Sequence, residues 1–140
     1  MPSPKTRTQP AIGDYGFLAD CSSAALVDRH GSVDWWCVPR FDSPSVFGRL
    51  LGPEAGHWVL HPVAAFQSER SYVGNSLVLR TVFRTGAGEV AVTDALVFER
   101  GAREHEIGLA SPHVLLRRVE GLRGRPGTTG LPSPAGCGRG

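Results

Sequence analysis

Between residues 76 and 98 apolar and polar side chains alternate with a period of two. Leu77, Leu79 and Val82 with Phe83 supply the apolar positions of a first arm, and Val90, Val92 and Ala95 those of a second. Thr85-Gly86-Ala87-Gly88 lies between them, so the pattern predicts a half-buried antiparallel hairpin with arms over 76–84 and 89–95, prolonged by Leu96-Val97-Phe98. A second hairpin is predicted over 23–27 and 32–38, turning at Asp28-Arg29-His30-Gly31, where Gly31 can take a positive φ. Shorter strand-like runs cover 58–63, ended by Pro62, and 114–119, with Arg117 and Arg118 near its end. Only 45–51 reads as a helix: Asp42 or Ser43 suits the N-cap, Pro44 the first helical position and Gly52 the C-terminal cap. Short strands at regular spacing with Gly-rich turns predict a mainly β chain, an antiparallel β-sandwich with one short helix.

The alternation stops after residue 123. From Gly124 onward the chain reads GRPGTTGLPSPAGCGRG, dense in Gly and Pro and almost without apolar residues, which predicts a disordered tail over 124–140. A disordered arm is expected over 1–11, leaving 12–123 as the sandwich domain. The sandwich itself is expected to be incomplete, with an uncovered sheet edge, marginal stability and association through that edge.

Composition narrows the function classes. The chain has 140 residues, 41% of them hydrophobic and 20% charged, as in one globular domain. Its formal net charge is only +2 and its arginines are scattered, which gives no electrostatic footprint for nucleic acid. No run has the length of a membrane span or a signal-peptide core, so no membrane partner is expected and the cytoplasm is the expected compartment. Cys21, Cys37 and Cys137 form no Cys-x-x-Cys pair and have no His pair at ligand spacing, so neither a disulfide framework nor a metal site is predicted. They read as small apolar packing residues, and no cofactor is expected.

Candidate chemistry concentrates in HGSVDWWCVPRFDSPSVFGRLLG, residues 30–52. Pro39 and Pro44 each restrict the preceding residue, so the path between them is fixed and non-helical. Such a loop, presenting Arg40, Phe41 and Asp42, suits sugar hydroxyls or a docking surface, or else forms a structural corner in which Arg40 and Asp42 satisfy nearby backbone. Trp35 and Trp36 are adjacent and must point to opposite faces of a strand, one to the core and one to a sugar ring or a packing partner. Asp14 and Tyr15 are a further polar and aromatic pair. His57, His61, His105 and His113 are separated, and no serine has a nucleophile-elbow context.

The ordered series of short motifs resembles the opening of the trehalase-like and glucoamylase-like proteins of glycoside hydrolase family 15. The matching elements are Ile12-Gly13-Asp14-Tyr15, the small-residue strand 24–27, Gly31-Ser32-Val33-Asp34-Trp35 and Pro39-Arg40-Phe41-Asp42-Ser43-Pro44. GHWVLHP, RSYVGNSLVLRTVFRTGAGEVAVTDAL and HVLLRRVEGLRG follow in the family's order, so the resemblance spans 12–123. It implies an N-terminal β-sandwich that precedes an α/α barrel carrying the two catalytic glutamates of an inverting glycosidase. It also implies an α-glucoside, trehalose or an α-glucan, as substrate of the complete enzyme, and the barrel as docking partner.

Nothing in this sequence matches that barrel, and Glu54, Glu69, Glu89, Glu99, Glu104, Glu106 and Glu120 lie outside the family's catalytic motifs. No catalytic residue is assigned, and the chain alone is expected to be inactive. A truncated or frame-shifted product is the simplest account of the abrupt tail. Asp14, Tyr15, Trp35, Trp36, Arg40, Phe41 and Asp42 are the candidates for contact with sugar or barrel. Three roles follow: a domain bracing a hydrolase barrel, a free-standing carbohydrate-binding module that uses Trp36, Arg40 and Asp42, or a sandwich that mediates protein assembly.

Overall fold

The computed structural model describes residues 9–124, together with the backbone of Thr128–Thr129 and Pro132–Ser133. Among the described residues twelve strands form in chain order: β1 (Gly16–Ala19), β2 (Ala24–Val27), β3 (Ser32–Cys37), β4 (Ser45–Phe47), β5 (His57–Val59), β6 (His61–Pro62), β7 (Gln67–Tyr72), β8 (Leu79–Thr85), β9 (Gly88–Val97), β10 (Val114–Gly124), β11 (Thr128–Thr129) and β12 (Pro132–Ser133). One sheet has the order β1-β2-β3-β5-β12, with β4 also paired to β3; a second has the order β10-β9-β8-β7; β11 and β6 form a small ribbon. All pairings are antiparallel.

The two larger sheets bury their facing sides against each other. Leu18, Ala25, Val27, Val33 and Phe47 from the first meet Leu79, Leu96 and Leu115 from the second, with Trp36 and Trp58 packed at the margin. Leu60, Phe83, Val90 and Val92, flanked by Phe66, make a smaller cluster. The fold is the expected mainly β, antiparallel one. Along β9, Val90, Val92, Asp94 and Leu96 are all buried.

Both predicted hairpins form. β2 and β3 join through the turn at residues 28–31, where Gly31 has φ 75° and a Cβ would meet the Leu60 carbonyl oxygen at 2.3 Å. β8 and β9 join around Gly86 and Ala87. The run predicted at 58–63 is divided into β5 and β6, and β10 extends beyond the predicted 114–119.

The predicted helix at 45–51 does not form. Residues 45–47 are β4, pairing Phe47 with Trp36, and a turn follows in which the Leu51 amide donates to the Gly48 carbonyl. Ser43 caps no helix; its hydroxyl accepts from the Arg40 amide, while its own amide donates to the Arg40 carbonyl. Burying Phe47 between Trp36 and Trp58 outweighs the capping signals. The helical turns lie elsewhere, as 3-10 turns at Ile12–Asp14 and Glu104–Glu106. Strands β1 and β7 carry no period-two signal and were not anticipated.

The N-terminal arm is described only from Gln9, whose side-chain amide donates to the Leu50 carbonyl. Of the expected tail, Gly124 closes β10, Thr128–Thr129 pairs with β6 and Pro132–Ser133 with β5; the rest, with Cys137, lies outside the described residues. Cys37 is a buried packing residue as expected, but Cys21 is exposed, with φ 67°, and lies outside the buried core.

Candidate functional site

The sequence-nominated residues divide between the two ends of one sheet. The β1–β2 register, Gly16↔Val27 to Ala19↔Ala24, puts Asp14 and Tyr15 at one end and residues 20–22 at the other. β3 runs back to that second end, where Arg40, Phe41 and Asp42 follow it. Four residues of strand separate the two groups by roughly 13 Å.

At the first end Tyr15 is buried and its hydroxyl donates to Asp34 Oδ2 at 2.9 Å, while Ser32 Oγ donates to Asp34 Oδ1. Asp14 faces outward and meets Arg29 Nε at 3.3 Å. The Asp14 backbone carbonyl accepts from Arg70, which also reaches the Val27 carbonyl at 3.0 Å. Burial is the main influence lowering the Arg70 guanidinium from its ordinary value, with Arg29 adding to it. Tyr15 is therefore a core tether, and Asp14 holds a turn.

Trp35 and Trp36 do point to opposite faces. Trp36 registers against Ala25 and Phe47, on the core side, and stacks on Phe47 at 6.3 Å between centroids. Trp35 registers against Leu26 on the outer face, and both indoles are only partly buried. The Nε1 atoms of Trp36 and Trp58 are buried without a hydrogen-bond partner among the described residues.

At the second end Arg40, Phe41 and Asp42 line an open hollow of about 460 Å³ with Cys21 and Ser22. Arg40 and Asp42 form a two-point pair, Nε–Oδ1 at 3.1 Å and Nη2–Oδ2 at 3.3 Å, with both side chains 72% exposed. Phe41 is also exposed. A planar ion pair beside an uncovered aromatic ring offers donors, acceptors and an apolar face to a partner, and carries out no chemistry by itself.

Beneath this hollow lies a network the sequence reading missed. Asp20 is buried and accepts from the amides of Ser22 (2.9 Å) and Ser23 (2.7 Å) and from the hydroxyl of Ser111. Burial pushes its carboxyl up, but the bonds from Ser111, Ser23 and Ser22 together outweigh it and hold it below its ordinary value of 3.8. Ser22 Oγ donates to the Gly108 carbonyl at 2.6 Å. Gly108 has φ 90°, and a Cβ there would meet the Asp20 carbonyl oxygen at 2.5 Å. The 104–111 loop is thus fixed to the β1–β2 turn. An Asp-x-Ser-Ser after a strand is the one local signal that marks this turn.

A second missed group joins the sheets. Arg117 on β10 holds Asp94 on β9 through Nε–Oδ1 (2.7 Å) and Nη2–Oδ2 (3.3 Å), with side-chain exposures of 0% and 1%. The same guanidinium donates to the carbonyls of Trp58 (2.7 Å) and Gly31 (2.8 Å) and lies 5.2 Å from the Trp58 ring centroid. Burial pushes the Asp94 carboxyl up from its ordinary value, with Arg117 pulling the other way. Among the described residues no three of His, Cys, Asp and Glu converge as metal ligands, and no helix is long and apolar enough to cross a membrane.

Residues 5–110 match the family described as "Trehalase-like, N-terminal". The trehalase of Mycolicibacterium smegmatis is 42% identical over 125 residues, which cover 82% of this chain and 19% of that protein. The trehalase of Mycobacterium tuberculosis is 41% identical over 132 residues, 87% of this chain and 19% of that protein. Trehalase 1 of Sulfolobus acidocaldarius is 42% identical over 82 residues, 58% of this chain and 14% of its own length. The chain spans about a fifth of the length of the first two relatives. No solved structure matches. With the family matched over most of its length, this chain belongs to the trehalase-like N-terminal domain family.

Proposed function

We propose that this chain acts as the non-catalytic N-terminal domain of a family 15 glycoside hydrolase of the trehalase or glucoamylase type, over residues 12–123. Its task in this reading is to brace the catalytic α/α barrel of an enzyme that hydrolyses an α-glucoside such as trehalose. The observation that carries the reading is the alignment with two trehalases over more than four fifths of this chain and only 19% of theirs. The hollow of Arg40, Phe41 and Asp42 is the surface we assign to the barrel. Free thiols at Cys21 and Cys37 support placing it in the reducing cytoplasm.

The test combines the purified chain with the remainder of the Mycolicibacterium smegmatis trehalase, expressed without its matched segment. The expected result is no glucose release from trehalose by the chain alone, and binding to the remainder with a gain in its trehalose hydrolysis. Trehalose turnover by the chain alone, or a remainder that neither binds it nor gains activity, would overturn the proposal.

The exposed Arg40–Asp42 pair beside Phe41 favours a second reading, a carbohydrate-binding module. Titration with trehalose or maltose separates the two. Saturable binding lost in Arg40→Ala supports the module, and silence at millimolar sugar removes it. In that reading Arg40 and Asp42 do the holding, because Trp36 is occupied with Phe47.

A further inference from the structure

β10 pairs along one edge with β9, and no other strand among the described residues pairs with its opposite edge. At eleven residues it offers a ladder roughly 37 Å long. Edges of that length are ordinarily shortened, covered or studded with charge, because their free amides and carbonyls template pairing with another chain. Here the strand carries Val114, Leu116, Val119 and Leu122, between 41% and 52% exposed. Arg117 points inward and is committed to Asp94, leaving exposed Arg118 and Glu120 on either side of Val119 and Arg123 near the strand's end, with no ion-pair partner among the described residues.

That spacing specifies a partner. We propose that β10 pairs antiparallel with β10 of a second copy of this chain, about a two-fold axis through Val119. In this register Val119 faces Val119 and Arg118 faces Glu120 of the other copy, within the regular part of the strand that ends at the bulge between Gly121 and Arg123. Two opposite-charge pairs thus form at once on either side of a valine pair, which is the self-complementarity a two-fold interface requires. Moving the axis to Arg118 or to Glu120 sets like charges directly opposite each other, and moving it to Gly121 leaves Arg118 and Glu120 facing no opposite charge. The charge order therefore selects one register. The result is a continuous sheet of eight strands across two copies. The inference stands on β10 alone and is independent of the proposed function.

Light scattering on the full chain across a dilution series tests it, with charge reversals as the register probe. The native chain is expected to dimerise, and Arg118→Glu or Glu120→Arg alone is expected to raise the dimer dissociation constant roughly tenfold or more. The double variant R118E/E120R, which restores opposite charges across the axis, is expected to recover the native constant. A chain monomeric throughout the series, single reversals that leave the dimer unchanged, or a double variant as weak as the singles would each overturn the proposal. Far-ultraviolet circular dichroism of every variant separates lost pairing from lost folding, and recovery in the double variant cannot arise from a folding defect.

Discussion

Asp20, Asp28, Asp34 and Asp94 are each no more than 2% exposed, yet they meet their hydrogen-bonding needs in different ways. Asp28 accepts from the amides of His30 and Ser32, both at 2.8 Å, and shapes the β2–β3 turn. Asp34 is held by hydroxyls, Asp20 by amides and hydroxyls, and Asp94 by the Arg117 guanidinium. The chemical difference has a consequence in acid. Asp20 has a folded pKa below its ordinary value, so its stabilisation is present above about pH 4 and is lost as pH falls through the folded value. Ser111→Ala, which removes one donor, should cost about 1.5–3 kcal/mol at neutral pH. Its melting temperature should converge on that of the native chain as the pH is lowered through that range, which thermal denaturation across pH will measure. Asp94, raised by burial, works with the opposite sign: its contribution is present below the ordinary value and is lost as pH rises through the folded one.

At the scale of elements, the strands legible in the sequence are those whose apolar positions face a core with period two: β2, β3, β8, β9 and the start of β10. β7 was illegible because Gln67-Ser68-Glu69-Arg70-Ser71-Tyr72 is polar on both faces. It is an edge strand held by its side chains: Ser68 Oγ donates to the Arg29 carbonyl, Arg70 reaches Val27, and Tyr72 Oη accepts from the Phe17 amide at 2.9 Å and donates to its carbonyl at 3.1 Å. These bonds join the two sheets along one seam, and nothing in a local window reveals them. Tyr72→Phe should therefore cost about 0.5–1 kcal/mol in chemical denaturation, the hydroxyl being partly solvated. β4 was misread for the opposite reason. Ser43, Pro44 and Gly52 do carry helix-end chemistry, but a one-turn helix contributes little by itself, and Phe47 is worth more between two tryptophans. The candidate site was legible as a loop, because prolines fixed its path. Its floor was not, because Asp20 and Ser111 are ninety-one residues apart in sequence.

Over the whole molecule, the two sheets meet along seams of unlike construction. The β7 seam is joined by separate bonds from Ser68, Arg70 and Tyr72; the β10 side is held by one guanidinium that reaches Asp94, Trp58 and Gly31 together. Arg117→Met should therefore cost roughly 3–5 kcal/mol, since it leaves Asp94 buried without its cation. The double variant Asp94→Leu/Arg117→Met should cost less than the single one, a coupling that urea denaturation of the four-member cycle would reveal. Singly identical losses in both variants would show that the pair acts through packing alone.

The same guanidinium imposes an order of events on a chain made from its N-terminus. Gly31, Trp58 and Asp94 all leave the ribosome before Arg117, and until it arrives the Asp94 carboxylate, destined for the interior, lacks its cation. The β2–β3 and β8–β9 hairpins are local and can form early, whereas closure of one sheet over the other waits for the last long strand. Arg117 thus couples the packing of the two sheets against each other to the synthesis of β10.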